Sequence, residues 1–189
     1  DGLLAAQAPN GGWGQHYNGH ADPAAPVVKA SIPAEWPRIW PNVDYTGFYT
    51  LNDGNLLWVM RVLLRAHELE KDARFLAAAK KLGDFLLLAQ LPEPQPAWAQ
   101  QYNRDMVPVW ARKFEPPAVS SIESTSAINA LIELWLATGE EKWLKTIPPA
   151  VAWLEKSKLP GGVWARFYEL GTNKPLYCKA RTYELTFDD

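Results

Sequence analysis

Two stretches of the chain alternate apolar and polar residues with helical spacing, and each divides into a pair of helices. From Asn52 or Asp53 to about Glu70, the apolar positions Leu56, Leu57, Val59, Met60, Val62, Leu63 and Leu64 cover most of a helical circumference, which predicts a helix inside the fold. The next segment starts near Asp72 and carries one narrower stripe, Phe75, Ala79, Leu82, Leu86 and Ala89, which predicts an outer helix with a wet face. A second pair follows the same scheme. Ser120–Ser124 offers caps before Ile128, Leu131, Ile132 and Trp135, and Thr138-Gly139 is a stop. Trp143, Leu144, Ile147, Val151 and Leu154 then form an outer helix, kinked or restarted at Pro148-Pro149.

The loops between these pairs repeat as well. Leu3 to Pro9 leads to Trp13-Gly14-Gln15-His16-Tyr17, Leu86 to Pro92 leads to Trp98-Ala99-Gln100-Gln101-Tyr102, and Leu154 to Pro160 leads to Trp164-Ala165-Arg166-Phe167-Tyr168. Each copy runs from a helix end to Pro, then to Trp with an aromatic residue four positions later, and a long period of this kind marks a supersecondary unit. Inner helix, outer helix and return loop together predict an all-α fold: an (α/α) toroid of helical hairpins, with long return loops forming a cleft at one end. Asp1 falls partway through an outer helix and Asp188-Asp189 shows no closing cap, so residues 1–189 read as one toroid domain taken from a longer protein.

Composition narrows the function. The 189 residues carry 19 Lys and Arg against 21 Asp and Glu, a net charge of −2, which argues against a nucleic-acid or membrane-surface binder. No uncharged apolar run approaches the ~20 residues that span a bilayer, and no basic start leads into an apolar stretch. The single cysteine, Cys178, rules out an internal disulfide and a cysteine-rich zinc site. Ten tryptophans is a high count, and several stand beside Gly or Pro in the loops, where flat rings suit sugar faces or simply pad long connections.

Three constellations carry candidate chemistry. Asn52-Asp53 opens an inner helix, as oxygen ligands facing the cleft or as plain caps. Asn103-Arg104-Asp105 follows the second repeat and offers oxygens for a hard cation, or makes a polar turn. Arg166 stands where the other copies have Gln15 and Gln100, either to anchor an anionic sugar or to pair with Glu169, and Arg112, Lys113 and Arg181 add positive charge on nearby loops. His16, His20 and His67 make no credible zinc set, and neither a nucleophile elbow nor a nucleotide-binding glycine turn is present.

Pro9-Asn10-Gly11-Gly12-Trp13, Leu51-Asn52-Asp53-Gly54, Trp98 to Tyr102, Pro108 to Pro117, Glu123-Ser124 and Trp164 to Pro175 together resemble the family-ten polysaccharide lyases, pectate lyases with an (α/α)₃ toroid. The resemblance runs from Pro9 almost to the end. It implies β-elimination of polygalacturonate: Ca²⁺ and arginines neutralise the substrate carboxylate, an arginine removes the C5 proton, and a 4,5-unsaturated uronide results. By motif position it implies Arg166 as the base and Arg112, Asn52, Trp98 and Trp164 as substrate contacts, with Asp53, Asn103 and Asp105 as calcium ligands. The family pattern has aspartate where Asn103 stands, and its further arginine lies beyond Asp189. The resemblance also implies a monomer placed outside the cell or in the periplasm. Two other readings stay open: a glycosidase using Glu115, Glu123 or Asp105, and a non-catalytic protein that binds acidic glycans.

Overall fold

The structure, a computed structural model, describes residues 1–16 and 21–188. Tyr17 of the first repeat and His20 lie outside them. Five α-helices occur among the described residues: α1 (Gly2–Ala5), α2 (Asn55–Glu70), α3 (Ala73–Ala89), α4 (Ser121–Thr138) and α5 (Ile147–Lys156). Short 3₁₀ turns at Asn52–Gly54 and Glu141–Leu144 precede α2 and α5.

Helix boundaries follow local chemistry. The Asp72 carboxylate caps α3 by accepting from the Arg74 N–H at 2.8 Å. Helix α4 stops at Gly139, whose φ of 70° suits a residue without a Cβ. The prolines of α5 lie in its first turn, where a missing N–H loses no partner, so the helix restarts there instead of kinking. At the head of α2 the expected side-chain caps are absent. Asn52 and Asp53 form the 3₁₀ turn and Gly54, at φ 68°, is the residue that enters the helix.

The expectation of an all-α toroid is corrected by the strands. Of the described residues 39% are helix and 10% strand, with two antiparallel sheets among them. Strand β1 (Tyr49–Thr50) pairs with β2 (Gln101–Tyr102), and β3 (Ala118–Ser120), β4 (Phe167–Glu169), β5 (Pro175–Cys178) and β6 (Leu185–Thr186) form a second sheet in that order. Single bridges Gly14 to Tyr49 and Ala99 to Val119 extend the pairing, so all three repeat loops are stitched through backbone to the segments that lead into α2 and α4. Strands of two to four residues are too short to show an alternating pattern, which is why the sequence reads as helices and loops alone.

Each repeat loop is also tied to the helix before it. The indole N–H groups of Trp13, Trp98 and Trp164 donate to the carbonyls of Leu3, Leu86 and Leu154 at 2.9, 2.8 and 2.7 Å, each in the final turns of α1, α3 or α5. The phenols of Tyr102 and Tyr168 repeat a second clasp. Each donates to a carbonyl at the end of the preceding helix (Ala89 at 2.8 Å, Ser157 at 2.6 Å) and accepts from the N–H three residues earlier, at Ala99 or Ala165.

One hydrophobic cluster joins α2, α3 and α4, with Met60, Leu63, Leu82, Phe85, Leu131, Leu134 and Trp143 fully enclosed. Helix α2 is not enclosed on all sides as its pattern predicts: Trp58, Val62 and Leu69 meet solvent. Helices α3 and α4 approach so closely that a Cβ on Gly83 would lie 2.4 Å from a Leu134 methyl and 2.7 Å from the Trp143 ring. Gly83→Ala is therefore expected to cost about 1–3 kcal/mol of stability through overpacking, despite alanine's better helix propensity. Equilibrium urea denaturation checks this, and an unchanged or raised midpoint would contradict the packing described.

Candidate active site

The backbone stitching determines where the polar residues meet. The Leu51 N–H donates to the Gln100 carbonyl at 2.8 Å, and the Ser121 N–H donates to the Arg166 carbonyl at 3.1 Å. Gln100 and Arg166 thus occupy the same register in successive repeats, each tied to the residue from which an inner helix starts. Their side chains converge: Arg166 Nη2 donates to Gln100 Oε1 at 2.9 Å and to Asn52 Oδ1 at 3.3 Å, and stands 4.0 Å from Asp53 Oδ1. The guanidinium lies 5.1 Å from the centre of the Phe167 ring, which supports it from beneath. The alternative pairing of Arg166 with Glu169 does not occur, because Glu169 bonds instead to Arg38 and Thr172.

Asp53 sits in the left-handed region at φ 53°, a conformation that costs an aspartate roughly 1 kcal/mol or more. Its N–H donates to Oε1 of Glu123 at 3.3 Å, and this bond helps hold the turn. The Asp53 side chain itself is 79% exposed, so its 4.0 Å ion pair with Arg166 lies open to water. Glu123 is fully enclosed and its other oxygen accepts from the Ser120 hydroxyl. Burial pushes its carboxyl above the usual range, with that hydrogen bond and the Arg166 charge pulling the other way.

A second carboxylate fixes the second arginine. Glu115, 2% exposed, accepts from the Arg112 guanidinium, from the Arg112 backbone N–H at 3.0 Å and from Asn52 Nδ2 at 3.4 Å. Burial acts to raise this carboxyl, but the bonds and charge from Arg112 outweigh it and hold it below the ordinary range. Reciprocally, the bond to Glu115 raises the proton affinity of Arg112. Asn52 is thereby shared between the two arginines, touching Arg166 through its oxygen and the Arg112 partner through its nitrogen.

The structure assembles Arg166, Asn52 and Asp53, with Arg112 joined through Glu115. Trp98 does not join them: it is wholly buried and has no face to offer a sugar. Trp164 keeps 40% of its surface exposed, two residues from Arg166. The expected calcium ligands are not brought together. The Asn103 oxygen is occupied by the N–H groups of Asp105 and Val107, both at 3.0 Å, and makes a local turn. Asp105 acts electrostatically on Arg104 and Tyr49, away from Asp53. No group of three His, Cys, Asp or Glu that could hold a metal ion occurs among the described residues. This donor set does not fit a protein-built calcium cage, which takes about six or more oxygen ligands.

Gln100 is the participant that sequence reasoning left outside the site, although its alignment with Arg166 was the available signal. Glu115 and Glu123 were considered as hydrolytic carboxylates. Both are enclosed and engaged by neighbours, so neither reaches a glycosidic oxygen from solvent.

The model of the pectic acid lyase family matches residues 1–162, and the chain belongs to that family. Solved structures share the fold. A family 10 polysaccharide lyase from Cellvibrio cellulosa superposes with a TM-score of 0.71 at 21% identity, covering 98% of this chain and 60% of that one. A mutant of the same lyase in complex with trigalacturonic acid superposes equally well, at 21% identity over 98% of this chain and 61% of that one. The cellobiose 2-epimerase of Spirochaeta thermophila DSM 6192 gives 0.58 at 16% identity, over 88% and 35%. The chain therefore spans about three-fifths of the length of the lyase structures it matches. A search of curated protein sequences finds no match.

The two buried carboxyls have opposite pH signatures. Glu115 ionises more readily folded than unfolded, so its contribution is present above the ordinary carboxylate range and is lost as pH falls through its depressed value. Glu123 has the reverse sign and is best tolerated at low pH. Glu115→Gln is expected to cost about 1–3 kcal/mol near neutrality. The gap from the unsubstituted chain should narrow below about pH 4, which denaturation across a pH series checks.

Proposed function

We propose that this chain is a pectate lyase that cleaves polygalacturonate by β-elimination, with Arg166 taking the C5 proton. The observation that carries the reading is the contrast between the two arginines. Arg112 is locked to a buried carboxylate that raises its proton affinity, which suits a permanent cation. Arg166 hydrogen-bonds to the neutral amides of Gln100 and Asn52, and its ion pair with Asp53, at 4.0 Å, is long and open to water.

The division of labour follows from acidity. The C5 proton lies α to a carboxylate and is weakly acidic until that charge is neutralised. Arg112 binds the carboxylate and stabilises the negative charge that develops as the proton leaves. The C5–H proton passes to Arg166, its bonding electrons form the C4=C5 double bond, and the glycosidic C4–O bond breaks with its electron pair leaving on the oxygen, which takes a proton from water as the next sugar is released. A free guanidinium is almost wholly protonated near neutral pH, so presenting it in its neutral form carries a large free-energy cost. Neutral amide partners avoid adding to that cost, whereas a carboxylate clasp such as that on Arg112 would increase it. Asn52 and Gln100 aim the Arg166 fork, and Trp164 gives an exposed ring face for a neighbouring sugar.

Of the expected calcium ligands, Asp53 alone stands open at this cluster, so no step is routed through a metal ion, and calcium is a variable of the assay. A polymeric substrate favours a place outside the cell or in the periplasm. No helix among the described residues is long and apolar enough to cross a membrane.

The test follows ultraviolet absorbance of the conjugated double bond during incubation with polygalacturonate, with calcium and with chelator. Arg166→Ala and Arg166→Lys are each expected to lower kcat by about 10²–10⁴. Product formation without a rise in absorbance would identify hydrolysis. Full activity in Arg166→Lys would remove Arg166 from the role of base.

A further inference from the structure

A second cavity, roughly 750 Å³, opens on the face built by β4, β5 and β6. That volume is in the range of small-molecule sites. Its wall comes mostly from residues after 162, beyond the segment matched by the family's model.

Its charge is unbalanced in one direction. Both of its carboxylates are already engaged: Glu169 by Arg38, and Glu184 by Lys179 at 3.3 Å. Lys113 and Lys174 also line the cavity, and neither has a carboxylate within ion-pair distance among the described residues. Each lies over an aromatic ring, Lys113 5.3 Å from the centre of Tyr183 and Lys174 5.4 Å from that of Phe187. Tyr183 is 39% exposed and Phe187 48% exposed, so each ring with the ammonium group above it is reached from solvent. An aromatic face next to a cation matches a sugar ring bearing a carboxylate.

This cavity is joined to the arginine site. Arg112 packs on the Phe114 ring with its guanidinium carbon 4.8 Å from the centroid, and Phe114 meets Tyr183 at 5.9 Å. Lys113 lies between Arg112 and Phe114 in sequence. Tyr183 is carried on the turn between β5 and β6, whose Tyr183 N–H to Lys179 carbonyl bond of 2.9 Å sets the ring against Phe114. The path from Arg112 to the cavity is thus a continuous surface of rings and cations.

We infer that the β4–β6 cavity is a distal subsite that binds a further carboxylated sugar of the same acidic oligosaccharide, through Lys113 and Lys174 on the Tyr183 and Phe187 rings. The inference rests on the proposed function for the identity of the chain that reaches it. It gives the protein a preference for longer uronate chains, because only they can occupy both sites at once.

Calorimetric titration of Arg166→Ala, which removes turnover, with tri- and hexagalacturonate at low ionic strength tests it. The hexamer is expected to bind about tenfold tighter than the trimer, equivalent to about 1.4 kcal/mol. Adding Lys113→Ala and Lys174→Ala should reduce that advantage to within about twofold, and a fully methyl-esterified hexamer should show none. A hexamer advantage that survives the lysine substitutions, or no advantage at all, overturns the subsite. Trimer binding without a hexamer advantage leaves the arginine site standing alone. Lysine-dependent hexamer binding without trimer binding keeps the subsite and removes the arginine site as primary. Binding of neither overturns both.

Discussion

The bond from an indole N–H to a carbonyl in the last turns of an outer helix is the constraint on which the other features depend. Helix ends leave carbonyls in need of donors, and in a buried setting water is not there to supply them. Trp98 meets that need while filling core volume, and Trp13 and Trp164 do the same nearer the surface. Once the tryptophan is anchored, the residues after it leave the helix end at a fixed point. The tyrosine clasp at Tyr102 and Tyr168 then sets the direction in which they run. Two-residue strands have little stability of their own, and anchorage at both ends lets them pair in register.

From that register follows an electrostatic asymmetry. Two carboxylates are buried behind the site, and their surroundings drive their acidities apart. Glu115 is kept anionic by Arg112, while Glu123 is pushed towards its neutral form by burial. One organises cations and the other organises backbone, through the Asp53 N–H. Neither is presented to solvent, so the charge facing a ligand comes from the arginines and from Asp53.

Much of this was legible in the sequence, and the remainder was hidden for identifiable reasons. The stripes of α3 and α4 picked out the enclosed Ala79, Leu82, Leu86, Ala89, Ile128 and Leu131 because burial on one face leaves a helical period, while Phe75, Ile132 and Trp135 are only half-buried and the enclosed Leu134 was missed. The repeat was visible because a tryptophan and an aromatic residue four positions apart are rare enough to stand out, and its alignment put Arg166 opposite Gln100. The strands were invisible, since two to four residues carry no period. Trp98 was assigned to the substrate by motif position, whereas the loop turns inward to bring its indole to Leu86. Asn103 and Asp105 were grouped with Asp53 by motif, but composition cannot reveal that the Asn103 oxygen is spent on its own turn. The full burial expected for α2 failed along the face of Trp58, Val62 and Leu69, where hydrophobicity alone does not say what lies opposite.

The stitching of Gln15, Gln100 and Arg166 runs through peptide groups: the Gln15 N–H to the Phe48 carbonyl, and the Gln100 and Arg166 carbonyls to the N–H groups of Leu51 and Ser121. The side chain at that register is therefore not needed for the stitch itself. The fold treats the position as an interchangeable socket, in which an amide in one repeat and a guanidinium in another are equally compatible with the scaffold. Innovation at the socket is decoupled from folding, and a repeat protein of this kind can acquire chemistry at one copy while the others keep the architecture.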